Sequence, residues 1–264
     1  MMQRTLTAVI AGAGFVAFLV IGGWAFQALT GALAIVAIYE LFKMHGLKIN
    51  TLATILAFAA GFVLAFPRLT LAAGLDASGP FQAFGFLVLV MLGVMVFSHG
   101  DYTLENIGFS FVAAFYVGFG FGNLALAREN SLFIAALAVL IVWSTDIFAY
   151  LTGRQFGRHK LLPEVSPNKT IEGALGGILG SVVVSLVLVL IFKRYAPMLG
   201  LLKMTIYAVI FSSAAQMGDL VESSIKRHYG VKDSGNILPG HGGILDRFDS
   251  MIFVLPIMHL LGLF

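Results

Sequence analysis

The residues best suited to chemistry lie near the C-terminal end of the chain, in residues 223–249, SSIKRHYGVKDSGNILPGHGGILDRFD. Asp246 and Asp249 are three positions apart, so on a helix they share one face. Asp219 and Glu222 repeat that spacing a little earlier. Magnesium usually binds one or two carboxylates together with phosphate oxygens and water. The acids therefore predict an oxygen-ligated divalent ion that also contacts phosphate.

Cations accompany these acids. Lys226, Arg227 and Lys232 place three positive charges within seven positions. A simpler interpretation is a polar loop that only packs the helices, with Arg247 neutralising the neighbouring aspartates. The density of residues that are costly near a membrane argues against that interpretation for the segment as a whole.

A glycine-rich turn, LPGHGG at residues 238–243, separates the cations from the last two aspartates. Glycine has no Cβ, so such a turn allows the backbone to approach a ligand closely. Zinc is disfavoured as the metal, because His228 and His241 are too few and the chain has no cysteine.

A second polar segment covers residues 153–173, GRQFGRHKLLPEVSPNKTIEG. Ser166 precedes a proline, which favours an extended or turning backbone. Thr170 can cap the next helix, with Glu172 in its first turn. Lys169 would then stand beside free backbone N–H groups, an arrangement that suits phosphate. A basic loop required only by membrane orientation is the alternative explanation.

Some acids lie inside the long apolar runs. Asp146 lies in AVLIVWSTDIFAYLTG and Asp219 lies in IFSSAAQMGDLVESS. An ionised carboxylate at membrane depth costs about 2.5–3.5 kcal/mol on insertion scales. Such a residue faces a polar cavity, a partner charge or an ion. Placement at the membrane interface and a structural salt bridge are the alternatives for each acid.

The composition requires a membrane protein. Of 264 residues, 59% are hydrophobic and 11% charged, and the mean hydropathy is +0.96. Soluble domains have about 25% charged residues. We predict an all-α polytopic integral membrane protein with about nine transmembrane helices and a polar active-site cavity at the cytoplasmic interface. The apolar runs that predict these helices are 5–22, 25–42, 52–66, 81–98, 107–126, 131–152, 173–192, 204–221 and 248–264.

The chain is interpreted as one membrane domain, residues 1–264. Residues 1–145 carry 10 charged side chains and residues 146–264 carry 19. Residues 1–140 are therefore predicted to be mainly hydrophobic scaffold, and residues 141–264 to carry the active site. The first apolar run follows Arg4 and resembles a signal peptide, but eight further runs favour an anchor that is retained.

Positive charge predicts the orientation. With nine spans, 11 of the 16 lysines and arginines fall on the side of the N-terminus, which is therefore predicted to be cytoplasmic. The five on the other side are Arg68, Arg128, Lys193, Arg194 and Lys203. The polar loops after spans six and eight both lie on the cytoplasmic side in this topology.

The segment of residues 223–249 resembles the signature of phosphatidate cytidylyltransferases, also called CDP-diacylglycerol synthases. The matching positions are Ser223, Lys226, Arg227, Lys232, Asp233, Gly235, Leu238, Pro239, His241, Gly242, Gly243, Asp246, Arg247 and Asp249. Residues 146–173, with Ser-Pro-Asn-Lys-Thr, resemble a second block of the same family. The first 140 residues contribute only hydropathy to the resemblance.

The resemblance implies an enzyme of phospholipid synthesis. A phosphatidate oxygen would attack the α-phosphorus of CTP, giving CDP-diacylglycerol and pyrophosphate. The family is magnesium-dependent, which implies one or two Mg²⁺ ions here, and members can be homodimers. CTP and phosphatidate are the expected partners, with no nucleic acid. We expect a multi-pass protein of the plasma (inner) membrane whose site and N-terminus face the cytoplasm.

Roles for individual residues follow from this reaction. Arg247 is predicted to make a bidentate phosphate contact, and His241 to donate a hydrogen bond to the leaving pyrophosphate. Lys226, with these two residues, Asp246 and Asp249, is predicted to be catalytic. The predicted metal ligands are Asp219, Asp246 and Asp249, with Asp146 as a further candidate. The predicted phosphate-binding residues are Ser166, Lys169, Thr170, Ser223, Lys226, Arg227, Lys232, Gly242 and Gly243.

Three competing interpretations remain at the level of sequence. The nearest is a CTP-dependent enzyme that acts on another lipid phosphate or on a polyprenol. A transporter or channel would use Asp146 and Asp219 as an ion pathway, but it would not need the His-Gly-Gly loop. A structural membrane subunit would not explain the charge density between residues 219 and 249.

Overall fold

The computed structural model describes residues 2–100, 102–192, 200–238 and 240–264. It consists of helices and one short hairpin. The helices are α1 (Met2–Ile21), α2 (Gly23–His45), α3 (Leu52–Ala65), α4 (Pro67–Ala72), α5 (Gly79–Phe97), α6 (Leu104–Asn130), α7 (Leu132–Phe156), α8 (Ile171–Ile191), α9 (Leu201–His228) and α10 (Leu245–Leu260). The antiparallel strands β1 (Lys160–Leu162) and β2 (Ser166–Thr170) form the hairpin.

Each of the nine predicted apolar runs coincides with a helix, which confirms an all-helical polytopic membrane protein. Six of these helices are long and apolar enough to cross a membrane. The full count of nine spans stays a prediction. The hairpin and α4 were not predicted; α4 begins at Pro67, whose fixed φ suits the first position of a helix.

Local chemistry explains several helix ends. Gly22 and Gly23 have φ of +67° and +58°, a left-handed backbone that separates α1 from α2. Thr51 caps α3, since its hydroxyl accepts from the backbone N–H of Thr54 and the Thr54 side chain accepts from the N–H of Thr51 in return.

The chain divides into two compact units, of which the first comprises Met1–Glu129 and Val231–Arg247. In this unit α3 packs against α2 and α5. A Cβ on Gly118 of α6 would lie 2.6 Å from the carbonyl oxygen of Gly61, so the two helix backbones approach closely because both residues are glycine. Phe26 and Phe42 of α2 are fully buried.

A polar cluster joins helix ends within the first unit. Glu129 accepts from Arg68 Nε at 2.7 Å and from the side chain of Gln27, which in turn accepts from the backbone N–H of Arg68 at 2.9 Å. Arg128 donates to the carbonyls of Leu19 and Val20 at the end of α1. The end of α6 is thereby linked to the end of α1 and the starts of α2 and α4.

The second unit comprises Asn130–Gly230 and Phe248–Phe264. Glycines let its helices pack closely: a Cβ on Gly177 of α8 would lie 2.9 Å from the carbonyl oxygen of Thr145 on α7. A Cβ on Gly218 of α9 would lie 2.7 Å from the carbonyl oxygen of Asp249 on α10. These contacts lie next to Asp146 and Asp219, so the glycines position the acidic residues.

Several predictions are not settled by this architecture. Helix α10 begins in the first unit and continues in the second, and the single membrane domain stays a prediction. Lys193 and Arg194, which entered the charge count, and Pro239 of the glycine-rich turn lie outside the described residues.

Candidate active site

The second unit brings together five predicted residues, Asp146, Lys169, Asp219, Lys226 and Asp249, which we call the acid–lysine cluster. Lys169 Nζ lies 2.5 Å from Asp219 Oδ2, although the two residues are 50 positions apart. Lys169 comes from β2 and Asp219 from the C-terminal half of α9. The predicted phosphate-binding lysine and a predicted metal ligand therefore meet directly.

The three aspartates of the cluster lie within electrostatic range of one another. Asp249 interacts with Asp219 and Asp146, and Asp146 interacts with Asp219. Both lysines also act on these acids, Lys169 on Asp146 and Lys226 on Asp249. Three like charges are unfavourable together unless cations stand beside them, and the two lysines supply that compensation.

Exposure differs among these acids. Asp249 is 9% exposed, whereas the side chain of Asp219 is 34% exposed. Asp249 Oδ1 accepts from the backbone N–H of Ser250 at 2.7 Å. Ser223 donates its hydroxyl to Asp219 Oδ1 at 3.3 Å, so this predicted phosphate ligand contacts the cluster.

The end of α9 carries the two adjacent cations. Lys226 forms an ion pair with Glu222, one turn earlier on α9 and almost completely buried. Arg227 is exposed and donates from Nε to the carbonyl of Val165 at 3.3 Å. Arg227 therefore connects α9 to the turn of the β1–β2 hairpin.

The hairpin delivers Ser166, Lys169 and Thr170 in an extended strand, as the Ser-Pro sequence predicts. Thr170 is the N-cap of α8, and its hydroxyl accepts from the backbone N–H of Gly173 at 3.1 Å. This confirms the predicted cap. Glu172, in the first turn, accepts from the backbone N–H groups of residues 158 and 159 and from His159 Nδ1, so it holds the start of the hairpin.

The first unit holds a second group, residues 232–246, which we call the glycine loop. Asp246 Oδ2 lies within hydrogen-bond distance of three donors in this loop, the backbone N–H of Gly243 at 2.8 Å and the N–H and hydroxyl of Ser234 at 2.8 and 2.9 Å. The predicted metal ligand is thus held by its own loop.

The glycines of this loop are required by geometry. Gly242 has φ of +81°, and a Cβ there would lie 2.5 Å from Asp246 Oδ2. The turn is closed by two backbone hydrogen bonds, from Leu238 N to Gly242 O at 3.1 Å and from His241 N to Leu238 O at 2.8 Å. A larger residue at position 242 would displace the carboxylate that the loop surrounds.

Arg247 and His241 interact with each other. Arg247 donates from Nε and Nη2 to the carbonyl of His241, at 2.8 and 2.5 Å. Arg247 is exposed, as is the predicted phosphate ligand Lys232. Among the described residues, His241 Nδ1 is buried and has no hydrogen-bond partner. The two hydrogen bonds from the guanidinium of Arg247 to the His241 carbonyl stabilise the loop, and the sequence did not predict them.

The predicted site residues fall into two groups by unit. The first unit holds Lys232, His241, Gly242, Gly243, Asp246 and Arg247. The second unit holds Asp146, Ser166, Lys169, Thr170, Asp219, Ser223, Lys226, Arg227 and Asp249. Within the described ranges, no group of three or more histidines, aspartates or glutamates is arranged to hold a metal ion by itself.

Comparison with known proteins decides the family. The model of the cytidylyltransferase family matches residues 2–264. The chain belongs to this family. It is 39% identical over 268 residues to the phosphatidate cytidylyltransferase of Bacillus subtilis, covering 100% of this chain and 98% of that protein. The phosphatidate cytidylyltransferase of Staphylococcus haemolyticus is 40% identical over 263 residues, covering 99% and 98%.

One residue of this cytidylyltransferase-family chain was missed by sequence reasoning. Glu40 on α2 is 1% exposed, and its carboxylate accepts from the backbone N–H groups of Ile244 and Leu245 at 2.9 Å each. The available signal was a lone acid in an otherwise apolar run, Ile-Tyr-Glu-Leu-Phe. These two partners are more than 200 positions away, so no local pattern could reveal them.

Proposed function

We propose that the chain is a phosphatidate cytidylyltransferase, which converts CTP and phosphatidate to CDP-diacylglycerol and pyrophosphate. The family and the full-length similarity to proteins of that name support this reaction. The observation that carries the proposal is the acid–lysine cluster, where Lys169 and Asp219 are paired beside Asp249. A helix bundle needs no such cluster for packing. Nucleotidyl transfer uses both kinds of charge, lysines to bind phosphate and aspartates to hold a metal ion.

The chemistry demands little covalent help from the protein. The attacking phosphatidate oxygen is already anionic, so positioning and charge compensation are the main requirements. Lys169 and Lys226 are proposed to bind phosphate oxygens of the two substrates, with Arg227, Ser223 and the hairpin residues around them. Each lysine now neutralises a carboxylate, Asp219 or Glu222, and can exchange that partner for a phosphate group.

The donor set suits Mg²⁺. The cluster offers carboxylate oxygens from Asp146, Asp219 and Asp249, and magnesium needs only one or two carboxylates with water and phosphate. We propose that these three acids hold one or two Mg²⁺ ions. Asp246, which belongs to the first unit, is proposed separately as a metal ligand. A bound Mg²⁺ would supply charge compensation for the pyrophosphate as it leaves. Of the remaining first-unit residues, Arg247 is proposed to bind phosphate and His241 to donate a hydrogen bond to the leaving pyrophosphate.

We further propose nine spans, with the N-terminus and the active site facing the cytoplasm at the plasma membrane, and a homodimer. Contacts inside the first unit support the topology. Arg68, predicted on the same side as Arg128, donates to Glu129, the residue that follows Arg128, and Arg128 donates to the carbonyl of Val20 at the end of α1. Glu40, near the opposite end of α2, contacts the start of α10. Both contacts are those expected of helices that alternate in direction.

A product assay tests the reaction. Purified protein in detergent, given phosphatidate, labelled CTP and Mg²⁺, is expected to release labelled CDP-diacylglycerol, and EDTA should abolish the product until excess Mg²⁺ restores it. The control is the same assay with dolichol or an ether-lipid phosphate in place of phosphatidate. Product from those lipids alone would transfer the proposal to the related enzyme class, and activity that resists EDTA would contradict the metal.

A further inference from the structure

We propose that Glu40 is a positioning residue, which clamps the glycine loop to α2 and thereby fixes the carboxylate of Asp246. The expected effect of Glu40 on turnover rests on the proposed function. The hydrogen bonds by which Glu40 holds the loop do not depend on that function. All of these hydrogen bonds lie inside the first unit.

The carboxylate of Glu40 is surrounded by donors that belong to one segment. Oε1 accepts from the backbone N–H of Ile244, and Oε2 accepts from the N–H of Leu245 and from the hydroxyl of Ser234, all at 2.9 Å. Leu245 is the first residue of α10. Glu40 therefore provides, from a distant helix, the negative group that the first turn of a helix favours.

The loop is shaped to accept this side chain. A Cβ on Gly235 would lie 2.7 Å from Glu40 Oε1, and a Cβ on Gly243 would overlap both the Glu40 carboxylate and Ser234 Oγ. Two glycines of the loop thus face one buried acid. Their lack of a side chain is explained by Glu40, whereas Gly242 is explained by its φ and by Asp246.

Ser234 links Glu40 to the proposed site. Its hydroxyl lies 2.9 Å from Glu40 Oε2 and 2.9 Å from Asp246 Oδ2, and its backbone N–H donates to Asp246 as well. One hydroxyl proton can serve only one of the two carboxylates at a time. Through Ser234, the position of the Asp246 carboxylate therefore depends on Glu40, a residue that is not itself proposed to bind substrate.

The expected chemistry requires a carboxylate at position 40. The variant Glu40→Gln keeps the size but has one acceptor oxygen, and its amide NH₂ would face backbone N–H groups. The loop would lose hydrogen bonds and gain a donor–donor contact. Ser234→Ala removes only the link and should act in the same direction with a smaller effect. Glu129→Gln is the matched control, since it makes the same change in the first unit, at the Arg68 cluster.

The first readout does not depend on activity. In hydrogen exchange of the purified protein, the amides of Ile244 and Leu245, which donate to Glu40, are expected to exchange about tenfold faster in Glu40→Gln than in wild type, because glutamine replaces one of their two acceptor oxygens with an NH₂ group. Glu129→Gln should leave these amides unchanged. Unchanged exchange in Glu40→Gln would overturn the clamp, even if the variant were less stable.

The second readout separates positioning from a structural role. Glu40→Gln is expected to lower kcat about tenfold and to raise the Mg²⁺ concentration for half-maximal activity, with the KM for phosphatidate little changed. The double variant with Ser234→Ala should be no worse than Glu40→Gln alone. A loss of activity that matches the loss of folded protein, at an unchanged Mg²⁺ midpoint, would overturn the positioning role. Inactive wild type would instead refute the proposed function, and the exchange experiment would still decide the clamp.

Discussion

Two carboxylates of this molecule, Glu40 and Asp219, both lie inside predicted apolar runs, 25–42 and 204–221, yet their surroundings differ. Glu40 is 1% exposed and accepts from two backbone N–H groups and one hydroxyl. The Asp219 side chain is 34% exposed and pairs with the ammonium of Lys169. Backbone donors cannot leave, whereas a lysine on a flexible stem can move to another anion. A carboxylate held by fixed donors, such as Glu40, is suited to hold a loop in place. A carboxylate paired with a lysine that can move, such as Asp219, is suited to a site where that lysine binds phosphate.

The same contrast separates the two groups of site residues. The glycine loop consists of short contacts among its own backbone, Asp246 and Arg247. The acid–lysine cluster consists of side chains from different helices and a hairpin, with Asp249 interacting with acids on α7 and α9. We therefore expect substitutions in the cluster to affect substrate binding and turnover directly. Substitutions of Glu40 and Ser234, which hold the loop, should affect turnover by displacing Asp246.

The largest effect is expected from the aspartates themselves. Asp249→Asn and Asp246→Asn should each lower kcat at least about a hundredfold, the scale of losing one electrostatic stabiliser. Asparagine keeps an oxygen for the hydrogen bonds from Ser250, or from Gly243 and Ser234, so both variants should remain folded. The measurement is turnover of labelled CTP beside a thermal unfolding curve.

Asp76→Asn is the matched control for these variants, since Asp76 accepts from Ser78 in an exposed turn of the first unit. It should leave turnover unchanged. Near-normal activity of both Asp249→Asn and Asp246→Asn, in protein shown to be folded, would remove the metal assignment.

A smaller effect is expected at Lys169. Lys169→Met removes the partner of Asp219 and a proposed phosphate contact, so the KM for CTP should rise about tenfold or more, as expected for a hydrogen bond between charged groups. Initial-rate kinetics over CTP concentration measure it. Lys203→Met, near the start of α9 over the ring of Tyr207, makes the same change away from the cluster. An equal rise in both variants would mean that Lys169 contributes only general charge.

The smallest effect is expected at a helix cap. Thr170→Ala removes the N-cap of α8 and should cost about 1 kcal/mol of stability. Thr51→Ala removes the cap of α3 at a similar cost. Because Thr170 adjoins Lys169, only Thr170→Ala should also change the KM for CTP. Thermal unfolding and initial rates compare the two, and equal kinetics would show that the α8 cap is purely structural.

The helices were predictable because membrane burial leaves a strong record in single runs of sequence. All nine runs became helices, and the break at Gly22 follows from glycine alone. The β1–β2 hairpin was not predicted, since its five-residue strand is polar and carries no alternating pattern. Helix α4 is only six residues long, too short for periodicity to indicate it.

The site was predictable where its chemistry is local. The Thr170 cap and the extended Ser166 follow from neighbouring residues, and both are confirmed. The pairing of Lys169 with Asp219 was not predicted, because the two residues are 50 positions apart and no local pattern relates them. The role of Glu40 was invisible, because its partners are assembled by the fold.

The fit between Glu40 and Gly243 has a consequence for variation. A methyl group at position 243 would occupy the space of the Glu40 carboxylate, so the two positions cannot change independently. A mutant library that diversifies the loop alone should recover glycine at 243 almost without exception. One that also shortens residue 40 and removes the hydroxyl of Ser234 should admit alanine there, because a Cβ at 243 overlaps both groups.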